Sequence, residues 1–259
     1  MAPDNRTGLQ RVMRTGTPGF NSKTFAALPR PALGEERMTL QGTINKSFMM
    51  LVVLLATAFW TWSQYLTSGN PAAVQVPMMI GLFAGFGLAL VISFKATLAP
   101  YLSLPYAACE GLLMGGLSAE LERRYPGVAI QAVGLTFGVL AAMLVAYKTG
   151  LVKVTQRFRL IMMAGMGAIM LLLLASWVLN MFHVATPFLY SSSPLSLGIS
   201  LVIIVFAALS LALNFDMIES GVAQGVPRYM EWYSAFGLMV TLVWLYISIL
   251  QFLAQARQR

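Results

Sequence analysis

The sequence predicts an all-α integral membrane protein, a polytopic bundle of seven transmembrane helices, on three observations. Of 259 residues, 58% are hydrophobic and only 10% are charged, against roughly 45–50% and about 25% in an ordinary soluble domain. So few charges cannot clothe a water-facing exterior, and the lipid bilayer must cover much of it. The chain also falls into seven apolar runs of 19 to 23 residues, each long enough to cross about 30 Å of hydrocarbon as helix. Lastly, Lys and Arg gather in alternate connections, as the orientation bias of a multi-pass chain requires.

Residues 1–45 come first and differ from all that follows. They are rich in Gly, Pro, Thr, Asn and Arg, carry Pro18, Pro29 and Pro31, and contain no long apolar run. Such a segment buries too little surface to offset its ordering entropy, which predicts a flexible basic tail. No apolar core of signal-peptide length follows its first basic residues, so the first span serves as the insertion signal. The membrane domain, residues 46–255, then holds the runs Ser47–Leu66, Ala73–Ile92, Tyr101–Ala119, Val128–Tyr147, Leu160–Phe182, Leu195–Leu213 and Ala235–Leu253. None shows the alternation of a barrel strand, so each reads as helix. Residues 256–259 form a short basic end.

The basic residues set the orientation. Thirteen Lys/Arg fall before the first span and in the connections after the second, fourth and sixth, against four elsewhere. The positive-inside bias places the N-terminus in the cytoplasm. Seven crossings then put the C-terminus outside. Arg257 and Arg259 oppose that, leaving open a last segment that re-enters the same face. Small residues recur four apart at Gly81 and Gly85, at Ala107, Gly111 and Gly115, and at Gly134 and Gly138. Close backbone approach is a main source of helix association in lipid, so the second, third and fourth spans are expected to pack tightly.

Ionisable groups at membrane depth are costly and are therefore the candidates for function. Glu110 sits mid-span, five residues after Pro105, where a proline frees a carbonyl one turn earlier and opens room for water or an ion. A carboxyl hydrogen-bonded to a neighbouring helix is the plainer alternative. Asp216 and Glu219 follow the sixth run at a spacing that shares one helical face. Oxygen ligands at a membrane mouth suit a transient Ca²⁺, with Asp216 as the ligand, or a proton relay; an ordinary solvated helix end is the alternative, more so for Glu219. Glu231 and Lys95 read as interfacial groups that support such a pathway or simply snorkel. His183 has no second histidine to share a metal, and Cys109 reads as a small buried side chain. The last run lacks a lysine for a retinal Schiff base, and no P-loop, HExxH or dinucleotide fingerprint occurs in a usable context. No enzyme activity, cofactor or nucleic-acid partner is expected.

The motifs Glu110-Gly111-Leu112 in the third run, Tyr125-Pro126-Gly127 before the fourth and Phe215-Asp216-Met217-Ile218-Glu219 after the sixth occur in order. Over roughly residues 45–255 they make the chain resemble the Bax inhibitor-1/YccA family, in particular a bacterial branch with a long N-terminal tail. The resemblance implies a seven-helix bundle in a bacterial inner membrane and, in some members, a pH-sensitive Ca²⁺ leak latched by an acidic pair from the last two helices. Asp216 matches the first acid. The second position falls on Ser248 when Leu245-Tyr246-Ile247-Ser248 is aligned, or around Met239–Thr241 by distance from Asp216, and neither offers a carboxylate. The expected function is a passive Ca²⁺ or H⁺ pathway gated near Asp216 and lined partly by Glu110. The competing expectation is a membrane-embedded regulator in a stress response or of a quality-control protease, docking a membrane protein through its tail.

Overall fold

The computed structural model describes residues 36–68, 72–182 and 193–258. Most of the expected tail, and His183, lie outside them. Seven long helices account for nearly all of the described chain: α1 Leu40–Ser68, α2 Ala72–Phe94, α3 Ala99–Arg124, α4 Val128–Lys148, α5 Gln156–Met181, α6 Pro194–Gln224 and α7 Met230–Arg257. A 3₁₀ turn, Ala96–Leu98, joins α2 to α3. The all-α bundle is as the sequence predicts.

The helix ends follow local chemistry. Thr155 caps α5 by accepting from the Phe158 amide, and Ser193 caps α6 with Pro194 in its first turn. Gly225 ends α6 in the left-handed region at φ 61°, and Gly127 opens α4 at φ 86°. The Glu122 carboxylate reaches across that second turn to take the Gly127 and Ala129 amides.

Six of the seven helices are long and apolar enough to cross a membrane; α3 is the exception. Its middle carries Glu110 and its last two turns carry Glu120, Glu122, Arg123 and Arg124. Neighbours replace lipid around it, since α3 packs against α1, α2 and α7. A helix covered by protein need not be apolar all round.

The backbones of α1, α2 and α3 approach closely through glycine. A Cβ on Gly111 would collide with Thr57 and the Leu54 carbonyl, one on Gly115 with the Ala58 carbonyl, and one on Gly81 would lie 2.5 Å from the Cys109 carbonyl. These are the contacts that the small-residue spacing predicts for the second and third spans. The fourth span departs from that expectation: a Cβ on Gly134 or Gly138 would meet nothing within 4 Å. Both face open space, because α4 packs on α6 and α7 through other faces.

The bundle divides accordingly. The core around Met50, Leu54, Tyr106, Phe236 and Met239 ties α1, α2, α3 and α7 together. On the other side α4 packs on α6 and α7, while α5 rests on α6 and scarcely touches any other helix. The start of α1 lies beside the start of α7, through Thr39 and Glu231. The end of α7 reaches the α3–α4 turn through Arg257 and the Pro126 carbonyl. Helix α7 thus runs the length of the bundle, and no re-entrant last segment is formed.

Helix α1 begins inside the segment read from the sequence as tail. Residues 36–39 pack against the α6–α7 turn: Arg37 forms an antiparallel bridge with Pro227, the Met38 amide donates to the Val226 carbonyl, and Met38 is buried. The turn supplies the edge that the isolated sequence could not reveal.

Candidate functional site

Most of the described charged residues gather at the end of the bundle formed by the starts of α1, α5 and α7 and the ends of α4 and α6. Three ion pairs close it: Lys46 with Glu231, Arg228 with Glu36, and Arg159 with Asp216. They differ greatly in enclosure.

Asp216 sits near the end of α6, about 33 Å along a helix that rises 1.5 Å per residue, a little farther than the roughly 30 Å that a span needs. Its Oδ2 accepts from Arg159 Nη2 at 2.5 Å, and both side chains are about a quarter exposed, 22% and 25%. Arg159 comes from the first turn of α5, the least embedded helix. One turn beyond Asp216, the Glu219 carboxylate accepts from the Tyr147 hydroxyl at 2.8 Å. The Tyr147 ring lies 5.7 Å from that of Phe215, which fixes α4 against α6 at this level. Asp216 and Glu219 both open onto a cleft of about 450 Å³ whose walls also include Tyr147, Lys148 and Lys153. The shared helical face expected from sequence is therefore a shared cleft.

Glu231 occupies the first turn of α7 and is 2% exposed. Its Oε1 takes two bonds from Thr39, amide and hydroxyl, each at 2.8 Å, and its Oε2 holds Lys46. The Lys46 ammonium also lies 5.5 Å over the Trp232 ring. Helix α1 can pass this close only because Gly42 has no side chain; a Cβ there would collide with the carboxylate. Glu231 is thus a saturated buried acceptor and not a loosely held interfacial group.

Glu110 lies elsewhere. It follows Tyr106 by one helical turn and interacts with that phenol, while Tyr106 packs edge-on against Phe236 of α7 at 4.8 Å. A Cβ on Gly85 of α2 would stand 3.5 Å from Glu110 Oε1. Glu110 therefore faces α2, whereas Asp216 faces α5, and Glu110 is not among the residues that line the cleft beside Asp216. Lys95 is exposed between α2 and the 3₁₀ turn and makes no salt bridge among the described residues.

None of the positions offered by the resemblance for a second acid carries a carboxylate, and two of them, Ser248 and Thr241, carry hydroxyls. Ser248 donates to the Trp244 carbonyl within its own helix. Thr241 accepts from the Asn214 amide at 2.7 Å, an uncharged link between α6 and α7. Asp216 has instead found a cation. Arg159, Tyr147, Lys46 and Thr39 were not singled out by sequence: Arg159 reads there only as one basic loop residue among several, although Thr155 three residues before Phe158 is a legible helix cap that would have placed it in the first turn of α5. No group of three or more His, Cys, Asp or Glu side chains able to hold a metal occurs among the described residues.

A second, apolar cavity of about 430 Å³ lies between α1, α3, α4 and α7. Its few polar groups are engaged: Ser118 and Tyr246 hydroxyls bond each other at 2.6 Å, and Glu122 caps α4.

The sequence model of the Bax inhibitor 1 like family matches residues 9–258. It takes in all seven helices and most of the N-terminal segment as well. No curated protein and no solved structure matches the chain.

Proposed function

The chain belongs to the Bax inhibitor 1 like family, and on that premise we propose that it is a passive, pH-sensitive leak for Ca²⁺ or H⁺, latched by the Arg159–Asp216 pair. One observation carries the reading: a carboxylate at the membrane edge is held by a single cation from the loosest helix, beside a cleft that water reaches. The basic end of the bundle faces the cytoplasm of a bacterial inner membrane, as the excess of Lys and Arg there favours.

The chemistry of the latch follows from its parts. The groups facing Asp216 are Arg159 from α5, Tyr147 and Lys148 from α4, Lys153 from the α4–α5 connection and Glu219 on its own helix. With Asp216 ionised, Arg159 ties the start of α5 to α6. A proton on Asp216 removes the charge that pairs with Arg159 and so weakens the tie between the start of α5 and α6. The Arg159–Asp216 pair requires an ionised carboxyl, so on this reading falling pH shifts the population towards the unlatched state. The mouth then presents the Glu219 carboxylate, with the neutral Asp216 carboxyl beside it, to a passing cation. Glu110 is a separate carboxyl between α2 and α3 and takes no part in the latch.

Reconstitution of the full chain in liposomes loaded with a Ca²⁺ or pH dye tests this. Flux should rise as pH falls, and Asp216→Asn should leak at neutral pH with little further response to acid. Arg159→Gln should behave likewise. Wild-type protein without flux at any pH removes the pathway; flux with unaltered pH response in Asp216→Asn removes the latch.

A second reading has its own support. The family match begins at residue 9, so the basic N-terminal segment belongs to the shared plan, and in this reading its role is to dock a membrane protein partner. Crosslinking pull-downs with and without residues 1–35 discriminate the two, since a partner lost with the segment, in the absence of flux, favours regulation.

A further inference from the structure

The cleft beside Asp216 has an imbalance that the latch does not use. Its carboxylates are engaged, Asp216 by Arg159 and Glu219 by Tyr147. Its cations are not: Lys148, Lys153 and nearby Arg157 are exposed and make no salt bridge among the described residues. The cleft therefore offers positive charge to an anion from outside.

Two further features say what kind of anion. Helices α4 and α5 are consecutive, yet they hardly touch; each packs on α6, so the bundle is parted along this line and floored by α6. The connection between them also carries Leu151, 81% exposed, next to Val152 and Lys153. An apolar side chain standing out of a basic turn at the membrane edge fits the headgroup–acyl boundary, where charge and hydrocarbon meet. A free phosphate would use the lysines alone; a phospholipid would use the lysines, Leu151 and the parting between the helices.

We infer that this cleft is a binding site for an anionic phospholipid, with its phosphate against Lys148 and Lys153 and an acyl chain along the parting between α4 and α5. The site is independent of whether the bundle conducts ions.

Native mass spectrometry of the full chain, titrated in detergent with phosphatidylglycerol or with phosphatidylcholine of the same chains, tests it. The first phosphatidylglycerol should bind at least tenfold more tightly than phosphatidylcholine. Each lysine near an anionic surface contributes about fivefold, so Lys148→Gln with Lys153→Gln should abolish that preference. Leu151→Ser should weaken both lipids by a similar factor. The inference is overturned if the double variant keeps the preference, or if Lys95→Gln, on the same face but away from the cleft, reduces it equally, which would indicate only a diffuse surface potential. Displacement of the bound lipid by millimolar inorganic phosphate would equally overturn it, as the mark of an anion site without a lipid.

Discussion

The two halves of this bundle hold carboxylates at the same end in opposite ways. In the half built from α1, α2, α3 and α7, Glu231 is buried, takes three hydrogen bonds and sits under a helix that passes at glycine distance. In the half built from α4, α5 and α6, Asp216 has one ionic partner, is part-exposed, and its neighbour helix α5 is attached on one side only. A charge that is enclosed and saturated fixes helices; a charge with one partner at an open cleft can let go of it. The difference assigns structure to the first and switching to the second.

The largest effect expected from this contrast is on stability. Glu231→Ala leaves Lys46, whose side chain is 13% exposed, without its acid. Removing one member of a buried pair costs about 3–5 kcal/mol, so thermal unfolding in detergent should move down sharply. Gly111→Ala comes next. Its new methyl meets Thr57 and a backbone carbonyl of α1, and overpacking of that kind costs about 1–3 kcal/mol. By contrast, Asp216→Asn breaks a part-exposed pair and keeps a polar side chain in place, so it should cost less than either, while changing flux and its pH response. A large loss of stability in Asp216→Asn together with unaltered flux would reverse the assignment. The smallest effect belongs to Gly134→Ala, where open space and better helix propensity together predict no loss and up to about 1 kcal/mol of gain by the same unfolding assay.

Much of this contrast could be read in the sequence, and some could not. The seven apolar runs dictate seven helices because lipid admits no other way to satisfy a spanning backbone. Gly81, Gly111 and Gly115 are legible as packing positions because spacing alone puts them on one face. Spacing does not say which face meets a neighbour, which is why Gly134 and Gly138, at the same spacing, face open space. Asp216 and Glu219 are legible as a pair for the same local reason. Their partners Arg159 and Tyr147 are not, since those contacts span 57 and 72 residues and depend on how α5 and α4 lie on α6. Glu231 shows the limit most clearly. A lone acid in an aromatic stretch looks interfacial until Thr39 and Lys46, 192 and 185 residues away, fold over it.

Hydrogen exchange measured by mass spectrometry on the wild type and on Asp216→Asn, in one membrane mimetic at neutral pH, tests the central contrast most directly. Exchange reports local opening segment by segment. The account predicts faster exchange in residues 147–162 of the variant, at the start of α5 and its approach, with residues 38–50 and 226–240 unchanged. Equal exchange in 147–162, or acceleration at the Glu231 region instead, would contradict it.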